Sequence, residues 1–300
     1  MIKKLQIRFI LFAMIAITLV LGTVSTIFLM GTPSNATQHR TVMLLMVILV
    51  LVLAASITLS YIAVKPIKKA WQQQLDFTAD ASHELRTPLA VIQSNLELVM
   101  DNEEETVESQ ERWLGNIHKE LIRMNHLVED LLTLSRADSN VTELTVCDVP
   151  LEIVLEERAC AFEQLAAAKE IKIERTMEQN LIMKGDIDRI QQLFTILFDN
   201  SIKYMGRPGT IKINAYKNKN QLHIDYMDDG TGIPDDEVEH VFKRFYRVDK
   251  ARSRSQNGSG LGLSIAEWIV RSHEGKIELK CGVDQGVHFH ITFPKQKNTV

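Results

Sequence analysis

The sequence predicts a multidomain chain built from two transmembrane helices, a helical hairpin that dimerises into a four-helix bundle, and a C-terminal α/β sandwich. Three observations predict it. Two long runs, Phe9–Met30 and Val42–Val64, carry no charged residue. Between residues 75 and 131, apolar side chains recur at alternating steps of three and four. Beyond Val141, short β-rich runs interleave with amphipathic helical patterns.

The composition fits that division. With 300 residues, 45% hydrophobic and 24% charged, the chain is globular and long enough for more than one part. A net charge of -4 argues against a general nucleic-acid binder. Cys147, Cys160 and Cys281 are scattered without a CxxC pair, which points to reduced thiols and away from disulfides or a zinc site.

Each uncharged run spans about 33 Å as a helix, enough for a hydrocarbon layer of about 30 Å. Lys3, Lys4 and Arg8 precede the first run, and Lys65, Lys68 and Lys69 follow the second. The short loop between them has only Arg40. The positive-inside rule therefore places both termini in the cytoplasm of a multi-pass cell-membrane protein in contact with lipid. The competing reading of the first run is a cleaved signal peptide ending near "SNA".

"KPIKKAWQQQ" is a basic, then amphipathic connector, and Pro66 marks the predicted exit from the second span. Leu75, Thr78, Ser82, Leu85, Leu89, Ile92, Leu96 and Val99 form one heptad seam. Leu114, Ile117, Leu121, Met124, Val128 and Leu131 form the other, across the acidic turn "DNEEETVES". Two helices with one seam each bury it well by forming a homodimeric four-helix bundle. The alternative is an intramolecular hairpin packed on the rest of the chain.

His83 lies one residue off that seam, rotated by about 100°, and so faces solvent. Glu84 adds an acid, and Thr87 shares the face of His83 one turn on. Pro88 deprives the Glu84 carbonyl of its helical partner, which predicts a local kink.

In the C-terminal half, helices are predicted over about 151–168, 187–204 and 261–273. Strands are predicted over 171–175, 210–216, 222–226, 276–280 and 287–293. Four segments should converge there. "FDNSIKY" carries Asn200, a hard oxygen ligand suited to Mg²⁺, with Lys203 as a point charge for phosphates and Tyr204 beside it. "DDGTGI" carries Asp228, which can accept from an exocyclic amine such as that of adenine, and Gly230 and Gly232, which allow close backbone approach. "FKRFYR" offers Phe242 and Phe245 with Arg244 and Arg247. "GSGLGLSIAEW" places Gly258, Gly260 and Gly262 at a helix start, whose free amides favour phosphate.

"FTADASHELRTPL" resembles the H-box of bacterial two-component sensor histidine kinases, and the later segments resemble, in order, the N, G1, F and G2 boxes of their ATP-binding domain. That domain is of the GHKL (Bergerat) type shared with gyrase, Hsp90 and MutL. The resemblance runs from about Phe77 to Pro294. It implies that His83 accepts phosphate from ATP, that Glu84 is the general base, and that Thr87 places water for dephosphorylation. It also implies Mg²⁺ at Asn200, phosphates at Lys203, adenine at Asp228, and a lid over residues 242–258 with Arg247 near the γ-phosphate. The implied partners are a second copy of the chain and a separate response regulator.

The domain map is then 1–64 membrane region, 65–76 connector, 77–140 dimerisation and phosphoacceptor domain, and 141–296 ATP-binding domain. A loop of about ten residues outside is too short to fold a ligand-binding domain. Sensing within the membrane, or relay by another membrane protein such as a transporter, is therefore expected. Three residues depart from the family pattern: Ile196 stands where asparagine is frequent, Asp229 follows Asp228 in place of asparagine, and "HEG" replaces "HGG" at the surface. The rival readings are a protein acting chiefly as a phosphatase of its regulator and a non-catalytic membrane scaffold.

Overall fold

The structure is a computed structural model that describes residues 22, 23, 26, 35–102, 104–138, 144–205, 208–248, 258–281 and 286–294. Its contacts divide the chain into two compact units, residues 1–79 and 80–300. Only residues 22, 23 and 26 of the first predicted span are described, so that span lies outside the description. The second span falls on α1, Asn35–Asp101. Among the described residues, no helix is long and apolar enough to cross a membrane.

α1 passes through both Pro66 and Pro88 as one element, so Pro66 does not end the helix as the sequence predicts. An internal proline removes one amide donor, and the intact turns on either side of each proline carry α1 through.

The end of α1 folds back on α2, Glu111–Asp138, through a turn at the acidic segment. Gln110, a buried side chain, closes that turn by donating to the carbonyls of Asn102 at 2.7 Å and Val99 at 3.3 Å. Buried Asn95 accepts from Asn116 at 3.3 Å and donates to the Val91 carbonyl, which pairs the two helices across the hairpin. The heptad seam divides in two. Leu85, Ile92, Val99, Ile117, Met124 and Leu131 are half-buried within the chain, whereas Leu89, Leu96, Leu114, Leu121 and Val128 are exposed.

The C-terminal part is an α/β sandwich, as the sequence predicts. After β1 (Cys147–Pro150) and α3 (Leu151–Ala167) come β2 (Ile171–Met177), β3 (Ile182–Gly185) and α4 (Ile187–Tyr204). β4 (Gly209–Asn218), β5 (Gln221–Asp228), α5 (Gly262–Ser272), β6 (Lys276–Cys281) and β7 (Val287–Pro294) complete it. The main sheet has the order β2-β4-β5-β7-β6, with β2 and β4 parallel and the other pairs antiparallel. β1 and β3 form a separate antiparallel pair that the sequence pattern did not reveal, because four-residue strands are too short to display a period.

α3, α4 and α5 bury Leu155, Phe194, Phe198, Ile265 and Ile269 against Ile213, Ile224, Tyr226, Ile291 and Phe293 of the sheet. The N-terminus of α4 is capped by Asp186, whose Oδ1 accepts from the amides of Asp188 and Arg189. The Asp186 amide in turn donates to Nε2 of buried His273 at 2.9 Å, while His273 Nδ1–H donates to the Ile269 carbonyl at 2.7 Å. The histidine of "HEG" is thus an internal strut between α4 and α5. Glu274 beside it is exposed at φ 57°, a conformation that explains why glycine suits that position.

Phe198 stacks on Phe162 at 5.3 Å and meets Tyr226 edge-on at 5.4 Å, and none of its surface is exposed. Phe198→Ala is expected to destabilise the sandwich by about 3–5 kcal/mol, measured by chemical denaturation.

Candidate functional site

α4 sets the pocket floor. Its buried stripe of Ile190, Phe194, Leu197, Phe198, Ser201 and Ile202 faces the sheet and leaves Asp199, Asn200, Lys203 and Tyr204 on its outer side or flanks. Ser201 is the one polar member of the stripe. Its Oγ–H donates at 2.6 Å to Oδ2 of Asp228, at the end of β5, and the Gly230 amide donates to Oδ1 at 3.1 Å. Burial pushes the Asp228 carboxyl up, and the hydrogen bonds from Ser201, Gly230 and Val287 hold it back. A Cβ at Gly230 would lie 3.1 Å from Asp228 Oδ1 and 3.2 Å from Met205 Cα, so a side chain there would press on the carboxylate. Gly232, two residues on, has φ 71°.

The second half of the pocket is cationic. Lys203 Nζ sits 5.2 Å from the centroid of the Tyr204 ring. A Cβ at Gly258 would come within 2.6 Å of Lys203 Nζ and 2.8 Å of the Tyr204 hydroxyl, so the glycine-rich segment abuts both side chains. Burial lowers the Lys203 ammonium pKa; Asp199 opposes this, and the positive charges of Arg247 and Arg123 add to it. Burial raises the Tyr204 phenol while Arg247 pulls it down. Arg247 comes from the segment before the glycines and Arg123 from α2. Three segments therefore bring positive charge to one place.

Gly260 has φ 71°, and a Cβ on it would lie 2.8 Å from the Phe245 carbonyl carbon and 2.9 Å from the Tyr246 oxygen. Phe245 itself has φ 59°. These two backbones pack back to back, which requires glycine on one side. Phe242 and Phe245 are both half-buried in a stretch, residues 229–248, that contains no helix or strand. Gly262 opens α5, and a Cβ there would lie 3.2 Å from Ile196 Cγ2, so the departure at Ile196 fills space against the glycine helix. The residue before α5, Leu261, supplies no side-chain cap. First-turn amides without a side-chain cap, four residues past the Gly258 that abuts Lys203 and Tyr204, suit a phosphate.

His83 lies on a different element, the long helix α1. It is exposed on α1, Glu84 is half-buried and Pro88 is buried. The Thr87 hydroxyl donates weakly, at 3.4 Å, to the His83 main-chain carbonyl. Among the described residues, no hydrogen bond or ion pair joins His83, Glu84 or Thr87 to the sandwich. Lys203 and Tyr204 meet Gly258, and Asp228 meets Ser201 and Gly230.

The sandwich instead grips the other helix of the hairpin. Arg244 makes a two-pronged pair with Asp138 of α2, at 2.8 and 2.6 Å, and Ser259 Oγ reaches Asp130 Oδ2 at 3.5 Å. Burial pushes the Asp130 carboxyl up to about 6, with the Ser259 bond opposing. Sequence reading missed Ser201, Arg123, Asp130, Asp138 and Ser259. Only Ser201 left a trace, as a hydroxyl in an otherwise apolar helical stripe; the others depend on partners more than a hundred residues away or on another segment.

Residues 73–140 match the His Kinase A (phospho-acceptor) domain, and residues 185–297 match the histidine kinase-, DNA gyrase B- and HSP90-like ATPase. The chain is 37% identical over 227 residues to the signal transduction histidine-protein kinase ArlS of Staphylococcus aureus, a match covering 76% of this chain and 50% of that protein. It thus spans about half the length of the relatives it matches. Among solved structures, the Acinetobacter baumannii histidine kinase AdeS is 25% identical with a TM-score of 0.58, covering 72% of this chain and 98% of that one. The fold is also that of the histidine kinase ThkA in complex with response regulator protein TrrA, at 24% identity and a TM-score of 0.60, covering 78% and 65%.

Burial of Asp130 gives a pH prediction. A solvated aspartate titrates near 3.9, whereas buried Asp130 holds its proton up to about pH 6, so folding takes up a proton between those values. That contribution to stability is fully present below about pH 4 and is lost as pH rises through about 6. The difference in unfolding free energy between the wild type and Asp130→Asn, measured by chemical denaturation, is expected to change between about pH 4 and pH 6 and to stay constant above about pH 7.

Proposed function

We propose that this chain, which belongs to the two-component sensor histidine kinases, moves the γ-phosphoryl group of ATP onto its own His83 and passes it to an aspartate of a response regulator. The observation that carries the reading is the meeting of Lys203 with Gly258, under the added positive charges of Arg247 and Arg123, just ahead of the uncapped start of α5. A polyanion is what such a place accepts.

In this reading Asp228, held by Ser201 and Gly230, accepts from the adenine amine. Lys203, Arg247 and the α5 amides neutralise the phosphates, and Tyr204, Gly232, Phe242 and Phe245 enclose them with Gly258, Gly260 and Gly262. Asn200, half-buried on α4, offers a single hard amide oxygen, which fits Mg²⁺, an ion that completes its shell with water and phosphate oxygens. When bound, the ion would offset phosphate charge.

At the other half of the site, a ring nitrogen of His83 attacks the γ-phosphorus and ADP leaves with the bridging oxygen. Glu84 takes up or orients the proton on the opposite ring nitrogen. Transfer of this kind depends mainly on in-line placement and charge neutralisation, so the exposed imidazole must be carried to the pocket. Release of the Arg244–Asp138 grip is the motion that would allow it. Thr87, one turn from His83, is assigned to placing water for dephosphorylation of the phosphohistidine.

Residues 1–64 form the membrane region in contact with lipid, 65–76 the connector, 77–140 the phosphoacceptor domain and 141–296 the ATP-binding domain; both termini are cytoplasmic, and the stimulus is sensed within the membrane or relayed by another membrane protein such as a transporter. Met43, Met46, Val50, Leu51 and Ile62, exposed on the uncharged stretch of α1, support it. The exposed half of the heptad seam supports a homodimer: Leu89, Leu96, Leu114, Leu121 and Val128 have no cover within the chain.

Incubating the full chain with γ-labelled ATP and Mg²⁺ tests the transfer. The label should be acid-labile and base-stable, absent in His83→Gln, and reduced at least tenfold in Gly258→Val. Equal labelling of His83→Gln would refute the assignment. In light scattering, Leu89→Glu combined with Leu121→Glu should convert dimers to monomers.

A further inference from the structure

The face of the sheet turned away from α3, α4 and α5 carries a cluster that the nucleotide pocket does not use. Strand alternation explains it. β5 sends Leu222, Ile224 and Tyr226 into the core, so His223 and Asp225 point the other way; β7 sends Phe289 and Ile291 in and His288 and His290 out. Register then sets Asp225 opposite His290 and Met227 opposite His288.

The side chains meet at one oxygen. Asp225 Oδ1 accepts from His290 Nδ1 at 2.7 Å and from His288 Nε2 at 2.8 Å. Ligand atoms of all three groups lie within 4.8 Å of one another. Their side chains are 17%, 25% and 34% exposed for Asp225, His290 and His288, open enough for an ion to enter and sheltered enough to hold it. An outer layer braces them. His290 Nε2 is 3.3 Å from His223 Nδ1, and Tyr216 stacks on His223 at 5.2 Å with ring planes 8° apart.

We propose that Asp225, His288 and His290 form a binding site for a divalent transition-metal ion of the Zn²⁺ class, with a fourth position open to water. Two imidazoles and one carboxylate are a donor set that takes Zn²⁺, Cu²⁺ or Ni²⁺ in preference to Mg²⁺ or Ca²⁺. Tetrahedral Zn²⁺ with bonds of about 2.0–2.1 Å sets its donors about 3.3 Å apart. The two hydrogen-bonded pairs therefore need to open by only about half an ångström as the ion replaces the two shared protons. The proton leaving His290 Nδ1 can sit on Nε2, where His223 Nδ1 accepts it; a ligand histidine is ordinarily braced in that way. Adjacent antiparallel strands hold the donors without a loop to order.

The inference concerns binding alone and stands whether or not His83 is phosphorylated. The full chain, purified without a histidine tag and stripped by chelator, would be titrated with Zn²⁺ against a fluorescent indicator and with Co²⁺ by visible absorption. Expected are one ion per chain, a Co²⁺ spectrum of four-coordinate intensity, and a melting temperature that rises with Zn²⁺. His288→Gln and His290→Gln should each weaken binding roughly a hundredfold and His223→Ala about tenfold, while His83→Gln leaves it unchanged. Melting of each variant without metal shows whether it folds, and Asp225→Asn supplies an independent ligand change. Absence of saturable binding, binding that survives loss of both histidines, or loss of binding in His83→Gln would overturn the proposal.

Discussion

The nucleotide end of the molecule depends on the clamping of α4 along one face of the sheet. Its apolar stripe, from Ile190 to Ile202, fixes its rotation, and the helical period then settles which side chains can meet a ligand. Asn200 and Lys203 emerge on one side while Ser201 is carried inward to Asp228. The clamp is itself anchored through Asp186, which caps α4 and is held by His273 at the end of α5. One buried imidazole thus ties the helix that begins with the glycine segment to the helix that carries the lysine. A shift in either would separate Gly258 from Lys203.

The hairpin shows how an incomplete core can be informative. Its polar pair, Asn95 and Asn116, and Gln110 at the turn define how the two helices lie against each other. Six of the fourteen heptad residues are half-covered in doing so and eight are exposed. The exposed apolar ones repeat at intervals of seven, the spacing of a second layer of packing and not of scattered surface residues. On another side of the hairpin α2 carries Asp130 and Asp138, which engage Ser259 and Arg244. The segment that contributes the charge of Arg247 is therefore also the segment tethered to α2 through Arg244. Arg244, which holds Asp138, and Arg247, whose charge acts on Lys203, lie three residues apart on that segment.

The sheet serves two chemistries because its two faces are independent. Alternate residues of β5 and β7 build the core, and the remainder gather three histidines and an aspartate on the opposite surface. Asp225 and Asp228 lie three residues apart on β5. One is braced by imidazoles from the neighbouring strand and the other by a serine from a helix.

The sequence by itself determined the elements and most of the pocket membership. Predicted bounds for α4 coincide with the observed Ile187–Tyr204, and all five strands of the main sheet were legible, because amphipathic periods of 3.6 and 2 are local properties. Lys203 and Gly258 stood out as residue types of short motifs, and the structure brings them together. Tertiary structure alone decided the rest. The four-residue pair β1–β3 has no period to read, and α1 runs through Pro66 because its neighbouring turns outweigh one lost donor. His273 as a buried strut, Arg244 on Asp138 and the meeting of Asp225 with His288 and His290 all join residues far apart in the chain. Such contacts come from strand register and helix docking, and a linear pattern carries no record of which distant positions those bring face to face.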